Sequence, residues 1–116
     1  MTCSKKSKVI FIVGVLVALT AIPAFADARL QGNWRWEGGA STQLHINGSS
    51  FVWVWIDGTI FAGTVSVSGN VATLSANLVQ PVNGYWRNHA EVWNYSIQFQ
   101  ANNNTLIINN WVYLRM

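Results

Sequence analysis

Cysteine and lysine are scarce in this 116-residue chain, and both are confined to its start: Cys3, Lys5, Lys6 and Lys8. Past that point no disulfide can form within the chain, which excludes the cysteine-stapled scaffolds common among small secreted domains. Histidine is limited to His45 and His89, and the acids to Asp27, Glu37, Asp57 and Glu91. No spacing among them suggests a nucleophile, a base and an orienting group, so the expectation is a protein that is not an enzyme. No cofactor motif is present, and His89 with Glu91 supplies two metal ligands without a third, so no metal site is expected.

Residues 1–26 read as a cleavable signal peptide. The three lysines form a basic segment, Val9 to Thr20 an apolar one, and Ala24-Phe25-Ala26 a small-x-small cleavage site. No later stop-transfer pattern follows, so a retained membrane span is not expected. Secretion or delivery to a bacterial periplasm is the expected localisation, with cleavage after Ala26. Removal of 26 of the 116 residues leaves 90, enough for one domain, residues 27–116. Its four arginines, Arg29, Arg35, Arg87 and Arg115, balance its four acids. The net positive charge of the whole chain therefore belongs to the leader and gives no reason to expect nucleic-acid binding.

All seven tryptophans fall in this 90-residue part, embedded in short alternating runs broken by Gly and Asn. No segment has helical periodicity. The pattern is that of an all-β domain of antiparallel strands. Leu30–Trp36 places Trp34 and Trp36 on one face and Asn33 and Arg35 on the other; Ser41–Ile46 turns Thr42, Leu44 and Ile46 inward. Phe51–Ile56 is apolar on both faces and takes its parity from an Asn47-Gly48 turn, which puts Phe51, Trp53 and Trp55 inside. Asp57-Gly58 then requires a three-residue loop with a left-handed glycine bulge, pairing Trp53 with Phe61 and Phe51 with Gly63. Two-residue turns at Gly69-Asn70, Asn102-Asn103 and Asn109-Asn110 extend the scheme. They turn Leu78, Trp93, Tyr95, Ile97, Phe99, Trp111 and Tyr113 inward. The predicted architecture is a small eight-stranded antiparallel up-and-down barrel, whose closure removes exposed sheet edges. An open sheet or a two-sheet sandwich is the alternative.

Gly32-x-Trp34 on the first strand, together with Arg115 on the last, resembles the calycin superfamily of lipocalin-like and avidin-like barrels. The resemblance implies that Arg115 stacks across Trp34, making Gly32, Trp34 and Arg115 a structural closure of the fold. It also implies a small lipocalin-like exported bacterial barrel able to hold a ligand at its open end.

That open end should carry the long connection Val79–Glu91, with Tyr85, Trp86, Arg87 and His89. Loops on a rigid scaffold are where binding concentrates. The candidate ligand residues are Trp36, Trp55, Trp86, Arg87, His89, Trp93 and Trp111. Two partners fit them: a small hydrophobic or aromatic ligand in an aromatic pocket, or a protein (or a sugar) engaged by the Val79–Glu91 loop over a barrel filled by its own side chains. Cavity size separates these readings, because a volume under about 300 Å³ is too small for a drug-sized ligand.

Overall fold

The computed structural model describes residues 27–116; residues 1–26, where a signal peptide is expected, lie outside the described residues. A single 3₁₀ turn, Ala28–Leu30, precedes eight strands: β1 Gly32–Trp36, β2 Gly39–Asn47, β3 Ser50–Val54, β4 Ile60–Ser68, β5 Val71–Gln80, β6 Arg87–Gln100, β7 Thr105–Ile108 and β8 Trp111–Arg115. Each strand pairs antiparallel with its sequence neighbours, and β8 pairs with β1 to close the barrel. Alternation is the cause: Trp34, Leu44, Phe51, Trp53, Val65, Leu74, Ile97, Leu106 and Tyr113 are inward and buried.

Turn chemistry sets the register. The β3–β4 connection has the anticipated bulged form: the Gly58 N–H donates to the Trp55 carbonyl at 2.9 Å, and Gly58 takes φ +94°. Trp53 therefore faces Phe61, and Phe51 faces Gly63. Asn109-Asn110 has positive φ at both residues, as a two-residue type I′ turn requires. The β6–β7 connection instead takes four residues, 101–104, with Ala101, Asn102 and Asn103 all at positive φ, and still pairs Phe99 with Leu106. The β2–β3 hairpin differs from the sequence reading. Its turn is Gly48-Ser49, with only Gly48 at positive φ, so Leu44 pairs with Trp53 and Ile46 with Phe51. Gln31 fixes this turn by accepting from the Gly48 N–H and donating to its carbonyl at 2.6 and 2.9 Å. The slip is two residues, so every side chain keeps its face.

Three further differences change what lies at the open end. Leu30 belongs to the 3₁₀ turn rather than to β1, although it is still buried. Leu78 points outward and is 41% exposed, while Val79 is buried beside Phe61. An irregularity at Ala62/Gly63 causes this: Gly63 pairs with Ala76 but Ala62 with Leu78, so the face flips across Asn77. Gly63 is indispensable to it, since a Cβ there would lie 1.8 Å from the Ser75 carbonyl oxygen. Finally, the long connection shrinks to residues 81–86, because Arg87–Glu91 extends β6 to 14 residues. Only the Ile97–Gln100 end of β6 pairs with β7, so its first ten residues, Arg87–Ser96, have β5 as their only strand partner, and the early part projects as an overhang.

The seam between β8 and β1 is held at the end opposite that overhang. Arg115 pairs with Trp34, and its guanidinium lies 4.2 Å from the centre of the indole. The same group donates to the backbone carbonyls of Gln31 (2.7 Å), Arg29 (2.9 Å) and Asn103 (2.9 Å). Gly32 leaves room for it: φ is +122°, and a Cβ would approach Nη1 to 2.8 Å. Trp34 donates its indole N–H to the Leu30 carbonyl at 3.0 Å. Arg29, paired with Asp27, covers Phe99 at 4.4 Å beside it.

Arg115→Ala should lower unfolding free energy by about 2–3 kcal/mol in urea denaturation, combining charge-assisted hydrogen bonds with a partly solvated cation–π contact. Arg115→Lys should restore only a minor part, because a single ammonium cannot span three carbonyls. Gly63→Ala should cost ~3 kcal/mol or more by overpacking. Gly69→Ala, at φ +63° with nothing within 4 Å, should cost only ~1 kcal/mol for the left-handed backbone.

Candidate functional site

The interior near the Arg115 seam mixes aliphatic chains with Trp34, Phe51 and Phe99, whereas the half toward the overhang is aromatic. Trp53 is the centre of the aromatic half. It is 2% exposed, and its indole N–H donates to the Tyr113 hydroxyl at 2.9 Å. The rings of Trp55, Trp111 and Tyr113 each lie 6.2 Å from it, inclined at 76°, 77° and 69°. These are the edge-to-face arrangements that aromatic quadrupoles favour.

A cavity of about 220 Å³ opens to solvent above this group. Trp36, Trp55 and Trp111 form its sides with Tyr113, while Trp53 and Thr42 lie deeper and Ile56 stands at the rim. Three of the candidates named from the sequence therefore meet here. Trp36 reaches the cup because β1 ends beside β8, where it pairs with Tyr113. Its ring is pressed against Gly38, at which a Cβ would come within 2.5 Å of the indole. The lining includes no carboxylate, imidazole or amine. The Thr42 hydroxyl and the Trp55 indole N–H are buried without a hydrogen-bond partner.

The other candidates are elsewhere. Trp93 is inward but does not line the cavity: it stacks on Tyr95 at 6.3 Å and packs edge-on to Phe61 at 5.1 Å, filling the other side of the mouth. His89 sits over Phe61 at 5.5 Å and donates from Nε2 to Glu91 at 2.9 Å. Trp93 donates to the second Glu91 oxygen at 2.8 Å. Trp86 and Arg87 are not part of the cup. Arg87 begins β6 opposite Val79, and Trp86 is exposed in the 81–86 connection next to Tyr85, which is 92% exposed.

Four lining residues were not among the sequence candidates. Thr42, Trp53 and Tyr113 were legible as inward-facing, but alternation does not distinguish a residue lining a cavity from one filling it. Ile56 was assigned outward by strand parity, which lapses because β3 ends at Val54.

Both donors to Glu91 favour its ionised form, so its carboxyl lies below the ordinary glutamate value of 4.5, with the His89 contact the larger cause and that of Trp93 the next. Burial holds the Tyr113 hydroxyl above its ordinary value, opposed by the Trp53 N–H. Comparison with family models, with curated proteins and with solved structures finds no match to this chain.

A carboxyl lowered on folding stabilises the fold above its unfolded pKa, and that stability is lost as pH falls through its folded value. Stability should therefore decline on acidification below about pH 4.5, and Glu91→Gln should lower the neutral-pH melting temperature slightly and so shallow that decline. Thermal melts between pH 2.5 and 7 check both.

Proposed function

We propose that this chain is an exported, non-enzymatic, lipocalin-like barrel that holds a small apolar or aromatic ligand in the cup formed by Trp36, Trp55 and Trp111. The observation that carries the reading is the open cavity of about 220 Å³ walled by indole and phenol rings. Its size narrows the ligand. Drug-sized molecules occupy pockets of roughly 300–1,000 Å³, whereas a dry apolar cavity of about 150 Å³ takes up benzene. The cup suits one ring or one compact head group and is too short for a fatty acyl chain. Its hydroxyls, on Thr42 and Tyr113, have no carboxylate, imidazole or amine beside them in the lining, and burial holds the proton on Tyr113, which supports binding without chemistry. The Gly32, Trp34 and Arg115 arrangement supports the calycin resemblance.

A second reading rests on a different observation. Val82, Tyr85 and Trp86 cluster in the 81–86 connection and are all exposed, as protein-binding anchors are. In that case a partner protein, and not a small ligand, would be lost in Trp86→Ala.

Titration of intrinsic tryptophan fluorescence with phenol, indole and benzyl alcohol tests the cup. Saturable changes are expected, with affinity at least tenfold weaker in Trp111→Ala and in Trp36→Ala, and little response to palmitate. Absence of saturation with every small ligand, or affinities in both variants equal to that of the native protein, would overturn the reading.

A further inference from the structure

The chemistry of the cup points further than its size does. We propose that its ligand is a compact organic cation, a quaternary or fully methylated ammonium group, enclosed as in an aromatic cage. This deepens the small-ligand reading above and rests on it.

Shape is the first argument. A flat ligand gains most from one parallel face, yet the rings around Trp53 are steeply inclined to it, at 69–77°, with the three centroids equally distant. Such a box touches a globular group on several sides at once. Trimethylammonium is globular and comparable in bulk to the benzene that a smaller cavity accepts.

Charge is the second. The face of an aromatic ring carries negative potential, and a cation near several ring centres is attracted by each. An anion would fare poorly, because the lining has no basic side chain to meet it, and the unpartnered Thr42 hydroxyl and Trp55 indole N–H are neutral donors that offset only part of its desolvation.

The ends of the barrel carry unequal charge. Glu37 and Asp57 lie in connections at the mouth and Glu91 on the overhang, against Arg87 and, on the outer wall, Arg35. Arg29 and Arg115 are fastened at the opposite end, the first by Asp27 and the second by backbone carbonyls. Three carboxylates against two guanidiniums leave the mouth the more negative end in formal charge, and the hydrogen bonds that Glu91 accepts from His89 and Trp93 favour its ionised form. A cation is thus favoured both on approach and in the cup.

The decisive comparison is choline against 3,3-dimethylbutan-1-ol, its uncharged isostere, by calorimetry and tryptophan fluorescence. Choline should bind at least tenfold tighter than the alcohol, and its N-methyl proton resonance should shift upfield on binding to the native protein, as ring faces enclosing it require. Trp111→Leu and Trp55→Leu should each weaken choline at least tenfold. Should either variant fail to fold, the native N-methyl shift still decides. Equal or tighter binding of the alcohol, or tighter binding of phenol and indole than of choline, would overturn the cation while leaving the small-ligand reading intact. No saturable response to choline, the alcohol, phenol or indole would remove both.

Discussion

A barrel of eight short strands, with no disulfide among its described residues, has to fill its interior from side chains alone, and Trp53 is where that demand is met. Its ring reaches Trp55, Trp93, Tyr95, Trp111 and Tyr113, so one residue of β3 touches the inner faces of β6 and β8. Aromatic residues bury more area each than aliphatic ones, which lets a small domain build a sufficient core. The same choice leaves a gap. Rigid rings cannot bend to close the space between them, and the cavity opens between Trp36, Trp55 and Trp111 above Trp53. The candidate site is a by-product of how the core is filled.

Uneven strand length decides where that gap faces. β1, β7 and β8 span only four or five residues, while β6 runs for fourteen. One wall is low and the other stands above it, carrying His89, Glu91 and Trp93 on its inner side. The cup opens over the low wall, next to the seam. The free side of the overhang is an unpaired strand edge, and its irregular pairing around Ala76/Leu78 and its polar side chains blunt it against casual strand addition.

Much of this was readable in the residues. Alternation and turn chemistry give the eight strands, the inward faces and the closed barrel, and parity alone demands the three-residue loop at Gly58. The Arg115–Trp34 contact was legible as well. The misplaced β2–β3 turn was harmless, since a slip of two conserves faces. The misassigned Leu78 came from the Asn77 irregularity, which depends on Gly63 approaching the Ser75 carbonyl, a tertiary fact without local signature. Arg87–Glu91 looked like loop because a strand paired on one side and projecting into solvent needs no alternation. The cup itself was the least legible part, because inward parity marks both the rings that leave space and those, such as Trp93, that occupy it.

The seam also sets an order of events. Its Arg115 contacts join residues 84 and 86 positions apart, nearly the length of the described chain, whereas the hairpins link close neighbours. Hairpins form in microseconds, and the entropic cost of closure grows with the length of chain enclosed, so local pairs precede the β1–β8 pair. Trp36 comes from β1 and Trp111 and Tyr113 from β8, which places three walls of the cup on the two strands that meet last. A form in which β1 and β8 have not met lacks the cup. A ligand bound in the cup would therefore recognise only the finished barrel, and would hold it closed by mass action.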